Sequence, residues 1–449
     1  MRIGGVGLGG VTLPQLLGRS ARANTDDAVL QPGFGKAKSV ILIALLGGPP
    51  QQDTFDCKPN APVEIRGQFG TISTSAPGIR VGELMPMTAR HMDKLAALRA
   101  VVTDDNAHSS SGYYMLTGAP HSPTNFENAR PGFANRHPNV GGVVRAQQAT
   151  VRGLPTSIAL PNYIFNDGNI PWPGQDAGWL GQKCNPWQIN CDPSVKDFRV
   201  PDLELPTEVS NDRFGGRTAL KQEIEQQFAA IDRGQAPSRF DEQSQLAFGL
   251  LSSSSARQAF DIAAEPDAVR DRYGRSKFGQ SLLLARRLVE AGVRLVQVNW
   301  TRIDGIPTNR STWDTHSAHH EAMKEVLMPI MDRAYSALLE ELSQRGLLDE
   351  TLVIWMGEFG RTPRVNGVGG RDHWGRCFSV ALGGAGIKGG HVHGESDKDA
   401  AYPVSGIVRP EDLTATLFNS LGIPPHAELK DALGRPTPAS RGRVLSDLY

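Results

Sequence analysis

The chain has 449 residues with 47 basic and 47 acidic side chains, so its formal net charge is zero. That balance excludes a basic footprint for a nucleic-acid backbone, and 39% hydrophobic with 21% charged residues excludes both a disordered and a multi-span membrane chain. Four cysteines without a Cys-x-x-Cys pair exclude a disulfide scaffold and a zinc ribbon.

The first segment, Met1 to Asn24, has a Gly-rich apolar stretch from Ile3 to Leu17 followed by Arg19-Ser20-Ala21-Arg22-Ala23. It is too short and too rich in glycine to span a bilayer, and it reads as the h-region and small-residue end of an export signal. Only Arg2 precedes the apolar part, so the reading is a remnant of a twin-arginine-type signal over residues 1–24. Export to the periplasm or cell surface would permit a Cys184–Cys191 bridge.

The main domain is expected over residues 38–440. Lys38 to Leu46 (KSVILIALL) is a continuous apolar run stopped by Gly47-Gly48-Pro49-Pro50, the pattern of a strand buried on both faces. The segment 154–200, rich in Pro, Asn, Trp and Gly, reads with the polar helical stretch Asn211–Ala264 as a loop-rich insertion over one sheet edge, about 154–264. A helix near Gly279–Ala291 precedes a second strand, Leu295–Trp300. A helix over Ala322–Gln344, closed by Gly346, precedes a third, Thr351–Met356, and Phe378–Leu382 is a fourth. Helix, turn, apolar strand and glycine loop repeat through this half. The expected fold class is therefore α/β, a large mainly parallel central sheet with helices on both faces.

In such sheets ligands bind beyond the carboxyl ends of the strands, and the residues there are polar. Asp53 follows the first strand, Asp314 and His316 lie in WDTHS after the second, and Glu358 directly follows the third. His373 lies in GRDHW, close to Arg371. Carboxylates with imidazoles suit one or two divalent metal ions, with zinc, manganese and calcium all open. Taken singly, Asp314 and His316 fit a surface loop, and Asp372-His373 a half-buried polar pair. Glu358 carries more weight, because an unpaired carboxylate after a buried strand is costly. His319, His320, His391 and His393 read as solvated or as supports for such ligands. His108-Ser109-Ser110-Ser111 opens an apolar helical stretch, so the serines are either a cap or an anion cradle or nucleophile at a helix N-terminus. Arg66, Arg361 and Arg371 are candidate clamps for sulfate, phosphate or carboxylate.

The strings LLGGPPQQDTFDCKPNAPVEIRG, HSSSGYYMLTG, WDTHS, GEFGRTPRVN, GRDHW, GGAGIKGG and PEDLTATLFNSLGI, in this order from about Ser39 to Gly422, resemble the bacterial domain of unknown function 1501 family, within the alkaline phosphatase and sulfatase superfamily. The resemblance implies that superfamily's fold, a metal-dependent hydrolase acting on a sulfate or phosphate ester of a small molecule or glycan, and commonly a twin-arginine signal. Together with the residues read above, it leads to Asp53, Asp314, His316, Glu358 and His373 as expected metal residues, His108 or Ser109 as a further ligand, base or nucleophile, and Arg361 and Arg371 as anion-binding groups. His108 falls where the sulfatase nucleophile stands, Gly112 replaces the signature Arg, and Gly357-Glu358-Phe359-Gly360 stands for Ser-Asp-His-Gly. The acidic residue expected right after the first strand is Gly48. The rival expectation is a non-catalytic member that binds an anionic glycan or a partner protein at the cell surface.

Overall fold

The computed structural model describes residues 30–200 and 254–449, apart from Phe133, Arg152 and Asp167, together with Gly216. The segment 1–24 read as an export signal lies outside the described residues, as does most of the polar stretch Asn211–Ala264.

An eight-stranded sheet organises these residues. Its strands are β1 (Ser39–Ala44), β2 (Leu95–Val101), β3 (Ser157–Leu160), β4 (Trp187–Gln188), β5 (Leu295–Asn299), β6 (Thr351–Met356), β7 (Phe378–Gly383) and β8 (His391–His393). Across the sheet they run β8-β2-β7-β6-β1-β5-β3-β4. Only β7 runs against its neighbours β6 and β2; the other pairings are parallel. The carboxyl ends of β1, β2, β5 and β6 therefore open on the same side of the sheet.

The centre of this sheet follows from its residues. Every position of SVILIA and of TLVIWM is buried, as continuous apolar runs require when both faces are covered. Alternate side chains point to opposite faces. Ile41, Ile43, Val296, Val298, Val353 and Trp355 pack on one face, where α3 (Lys277–Glu290) and α4 (Met328–Gln344) lie. Val40, Leu42, Leu352 and Ile354 pack on the other, against α1 (His108–Thr117), α2 (Val140–Gln147) and α5 (Pro410–Ser420).

Local signals set the helix limits. Ser276 caps α3, its hydroxyl accepting from Gly279 N at 3.1 Å. The helix expected over Ala322–Gln344 is continuous but contains a π-helical turn at Ala322–Leu327. Inside α4, Asp332 accepts from Met87 N and Thr88 N at 2.9 and 2.7 Å, tying that face to the segment before β2.

Two parts of the sheet differ from the sequence reading. The segment Leu154–Val200 supplies β3 and β4, two strands at one edge, because Ser157–Leu160 pairs with β5 through backbone groups that need no long apolar run. β2 (LAALRAV) is a strand the sequence reading does not include; its only β-branched residue is Val101, and it inserts beside β7 through tertiary pairing. No disulfide joins Cys184 to Cys191. No helix among the described residues is long and apolar enough to cross a membrane.

Trp355, wholly buried on the α3–α4 face, meets the Phe55 ring edge-on at 5.1 Å. Trp355→Ala is expected to cost about 3–5 kcal/mol, the range for emptying a buried aromatic site. Denaturant unfolding checks this.

Candidate metal centre

The site lies beyond the carboxyl ends of the parallel strands. β1 ends in a turn at Gly47-Gly48, both with positive φ. A Cβ on Gly47 would stand 2.2 Å from Asp314 N, so only glycine lets this backbone pass so close to the loop after β5. Glu358 follows β6 by two residues. His373 belongs to a two-residue strand paired with Gly360–Arg361, which sets Arg361 opposite His373. His108 is the first residue of α1.

These segments converge on the Asp314 carboxylate. Oδ1 lies 3.0 Å from His373 Nε2, 3.0 Å from His316 Nε2 and 2.6 Å from an Arg361 terminal nitrogen; Oδ2 lies 3.3 Å from His108 Nε2. The Nε2 atoms of His316 and His373 are themselves 2.8 Å apart.

The opposite side of each ring is committed elsewhere. His373 Nδ1 lies 2.6 Å from Asn106 O, His316 Nδ1 2.7 Å from Asp372 Oδ1, and His108 Nδ1 2.7 Å from Glu358 Oε1. A carbonyl or carboxylate oxygen accepts, so each Nδ1 donates, and this fixes the tautomers. On the inner side the Nε2 atom of each ring meets the Asp314 carboxylate, and a cation that displaced the protons held there would meet three imidazole lone pairs. Three such nitrogens around one carboxylate form a donor set for a cation, and the outward Nδ1–H contacts are the supports that orient metal-binding histidines. His108, Asp314 and His373 each offer a ligand atom within 4.8 Å of the other two.

Charges in the site follow from these contacts. Burial by itself raises the Asp314 pKa, but the Arg361 charge and the hydrogen bonds from His108, His316 and His373 outweigh it and hold the carboxyl far below the carboxylate range. Burial lowers His108, yet hydrogen bonds to Asp314 and Glu358, with their charges, push the ring up to about 10. His316 is raised, chiefly by its hydrogen bond to Asp314, and His373 is lowered by burial.

The sequence-derived residues divide into two sets. His108, Asp314, His316, Glu358 and His373 come together, with Arg361. Glu358 sits behind His108, its Oε1 also accepting from Gly47 N at 2.9 Å. Arg361 is wholly buried and bridges the site to the β1 turn, donating to Gly47 O, to Gly48 O at 3.1 Å and to Arg371 O at 3.0 Å. With its donors spent inside the protein, it orients Asp314 instead of facing an incoming anion.

Asp53, Ser109 and Arg371 do not join this cluster. Asp53 is buried with His319 at 2.9 Å and Arg371 at 3.5 Å. Arg371 is also wholly buried, donating to Thr362 O, Pro363 O and Ile65 O. The Asp53 carboxyl is raised by burial but lowered more strongly by Arg371 and His319, and ends below its ordinary value. Ser109 is wholly buried: its hydroxyl donates to Phe126 O and accepts from Ala129 N at 2.9 Å. Ser111 donates to Glu358 O at 2.6 Å, so it positions the Glu358 backbone. Ala107, not a serine, is the residue preceding α1. Asp372 and Asn106, which hold His316 and His373, were not singled out for those roles; the Asp-His pair in GRDHW was a signal for the first, and a backbone carbonyl leaves none in sequence.

An open cleft of about 240 Å³ reaches this cluster, lined by Glu127, Asn128, Phe165, Asn166, Trp172 and Arg302 among others. Trp172 lies over Gly112, where a Cβ would stand 2.3 Å from the indole, so glycine at this position makes room for an aromatic wall.

Asp53→Asn is expected to cost about 3–5 kcal/mol by leaving Arg371 buried without its counter-charge, with metal content unchanged. Because the folded pKa of Asp53 is depressed, its contribution is complete above the unfolded value near 3.9 and is lost as pH falls through the folded value. Thermal unfolding between pH 7 and 3 should therefore show a gap between wild type and variant that narrows with acid.

Among solved structures, the chain is similar to the phosphonate monoester hydrolase SpPMH from Silicibacter pomeroyi, with 13% identity, TM-score 0.40, and 90% of this chain and 75% of that one covered. It is also similar to the PsFucS1 sulfatase from Pseudoalteromonas sp., with 12% identity, TM-score 0.38, and coverage of 92% and 72%. A protein in the alkaline phosphatase superfamily from Vibrio parahaemolyticus matches with 13% identity, TM-score 0.35, and coverage of 92% and 76%. No curated protein matches the chain. The model of the family described as "Protein of unknown function (DUF1501)" matches residues 37–449, and the chain belongs to that family.

Proposed function

We propose that the protein is an exported, metal-dependent hydrolase of a sulfate or phosphate ester. The observation that carries the reading is the set of three Nε2 atoms gathered on Asp314, each ring held from behind by an acceptor. His108, Asp314, His316 and His373 would hold the ion, and imidazole donors favour zinc or manganese over calcium. A divalent ion there supplies Lewis acidity to an ester oxygen and acidifies a water molecule.

The chain's own residues do the rest. Glu358 fixes the His108 tautomer, and Arg361 fixes the Asp314 carboxylate against the β1 turn. Trp172 and Phe165 wall the cleft on the side where an ester's organic group would rest, with Asn166 offering it polar contacts. Ser109 is sequestered by two backbone partners, so the attacking oxygen in this reading is water's and not the serine's. Export rests on the apolar stretch Ile3–Leu17 and the small residues that follow it, and fractionation of cells expressing the full chain tests it.

Hydrolysis of nitrophenyl sulfate and phosphate by zinc- or manganese-loaded protein is the direct test. Asp314→Asn is expected to abolish both metal retention and turnover. Glu358→Gln should keep the fold and weaken metal affinity about 10–100-fold, the usual cost of losing an outer support. Ser109→Ala should leave turnover intact; a loss with metal content preserved would make the serine the nucleophile. Metal binding with no turnover of either ester class would move the assignment to a non-catalytic, glycan- or protein-binding member.

A further inference from the structure

Far along the sheet from Asp314, the outermost strand β8 carries His391 and His393. They are two residues apart, so both imidazoles leave the same face of the strand. β8 is fixed by parallel pairing with β2, His391 opposite Ala96 and His393 opposite Leu98. The Ser446–Leu448 turn is packed beside this strand. Leu445 and Leu448 are buried, Lys388 N donates to Leu448 O at 2.7 Å, and Lys388 Nζ donates to Asp447 O at 3.0 Å. The Asp447 backbone is thus held without help from its carboxylate, which is left to face the two rings.

His393 Nδ1 lies 2.5 Å from Asp447 Oδ2, and His391 Nε2 lies 3.8 Å from the same oxygen. A ring nitrogen of each histidine and a carboxylate oxygen fall within 4.8 Å of one another. His391 Nε2 and His393 Nε2 are both buried atoms with no hydrogen-bond partner. A buried ring nitrogen of this kind is normally satisfied. His391 Nε2, 3.8 Å from the half-exposed carboxylate, is therefore a donor with nothing to bind, and His393 Nδ1 and Asp447 Oδ2 complete the set.

We propose that His391, His393 and Asp447 form a second transition-metal site, separate from the Asp314 cluster, in which the ion clips the Ser446–Leu448 turn to the edge strand of the sheet. Two imidazoles and one carboxylate are a zinc-type donor set, with a fourth position left to water. Ligands about 2.0–2.1 Å from a tetrahedral ion stand roughly 3.3 Å apart. His391 and Asp447 therefore close slightly on binding. His393 and Asp447 open, as the proton between them passes to solvent and the ion takes its place.

The test uses the full chain, stripped with a chelator and reloaded with zinc, with bound metal counted after gel filtration. Wild type is expected to hold one equivalent more than Asp447→Asn or His391→Gln, and Asp314→Asn is expected to keep that equivalent. Amide exchange at residues 445–448 should slow at least tenfold on zinc addition in wild type and in Asp314→Asn, and stay unchanged in Asp447→Asn. Asp447 is half exposed, so its replacement is compatible with folding, which matching chelated-state melting curves would verify. Equal zinc content in wild type and Asp447→Asn, or no zinc-dependent slowing at 445–448 in wild type, overturns the proposal. Neither outcome depends on whether the Asp314 site binds metal or turns over an ester.

Discussion

One carboxylate organises the functional end of this protein. Asp314 receives three imidazole nitrogens and a buried guanidinium, from the start of α1, from its own loop and from the paired segments Gly360–Arg361 and His373–Trp374. An ionised carboxylate tolerates this crowding only because positive or hydrogen-bonding partners surround it, and each partner is in turn held from behind. Remove it, and three imidazoles and one guanidinium face each other with no counter-charge.

The fold makes that convergence possible through backbone as much as through side chains. The Gly47-Gly48 turn gives N–H to Glu358 and carbonyls to Arg361, so the end of β1 braces both the ring of His108 and the carboxylate of Asp314. Arg361 is rigid because each of its guanidinium nitrogens is bonded internally, and a planar guanidinium with fixed partners is a better orienting group than a mobile lysine. The first strand thus adds no acidic ligand where the resemblance led one to be expected. It adds main-chain groups instead.

The same architecture places polar residues where they serve packing. Asp53, His319 and Arg371 form an internal ion-pair set under the loops, and Ser109, Ser110 and Ser111 each bond to backbone or to Asp105 around the start of α1. Both sets carry residue types that also occur in catalytic sites. In sequence, an aspartate after a buried strand looks the same whether it faces a cleft or a buried arginine.

The central strands, the parallel class and the polar character of the loops were written in the sequence, because apolar runs such as SVILIA and TLVIWM have one stable use, burial between two helical layers. WDTHS, GEFG and GRDHW likewise carried the site's residue types, and those segments do meet. Tertiary structure alone decided which members of each segment meet. The direction of a side chain depends on the turn that carries it and on what packs behind it. Hence Glu358 stands behind His108, Asp53 turns inwards to Arg371, and His393 faces Asp447 across 54 residues of chain, with His391 beside it. β2 was likewise a product of pairing, for LAALRAV has no strand pattern of its own and takes its form from β7 and β8 on either side.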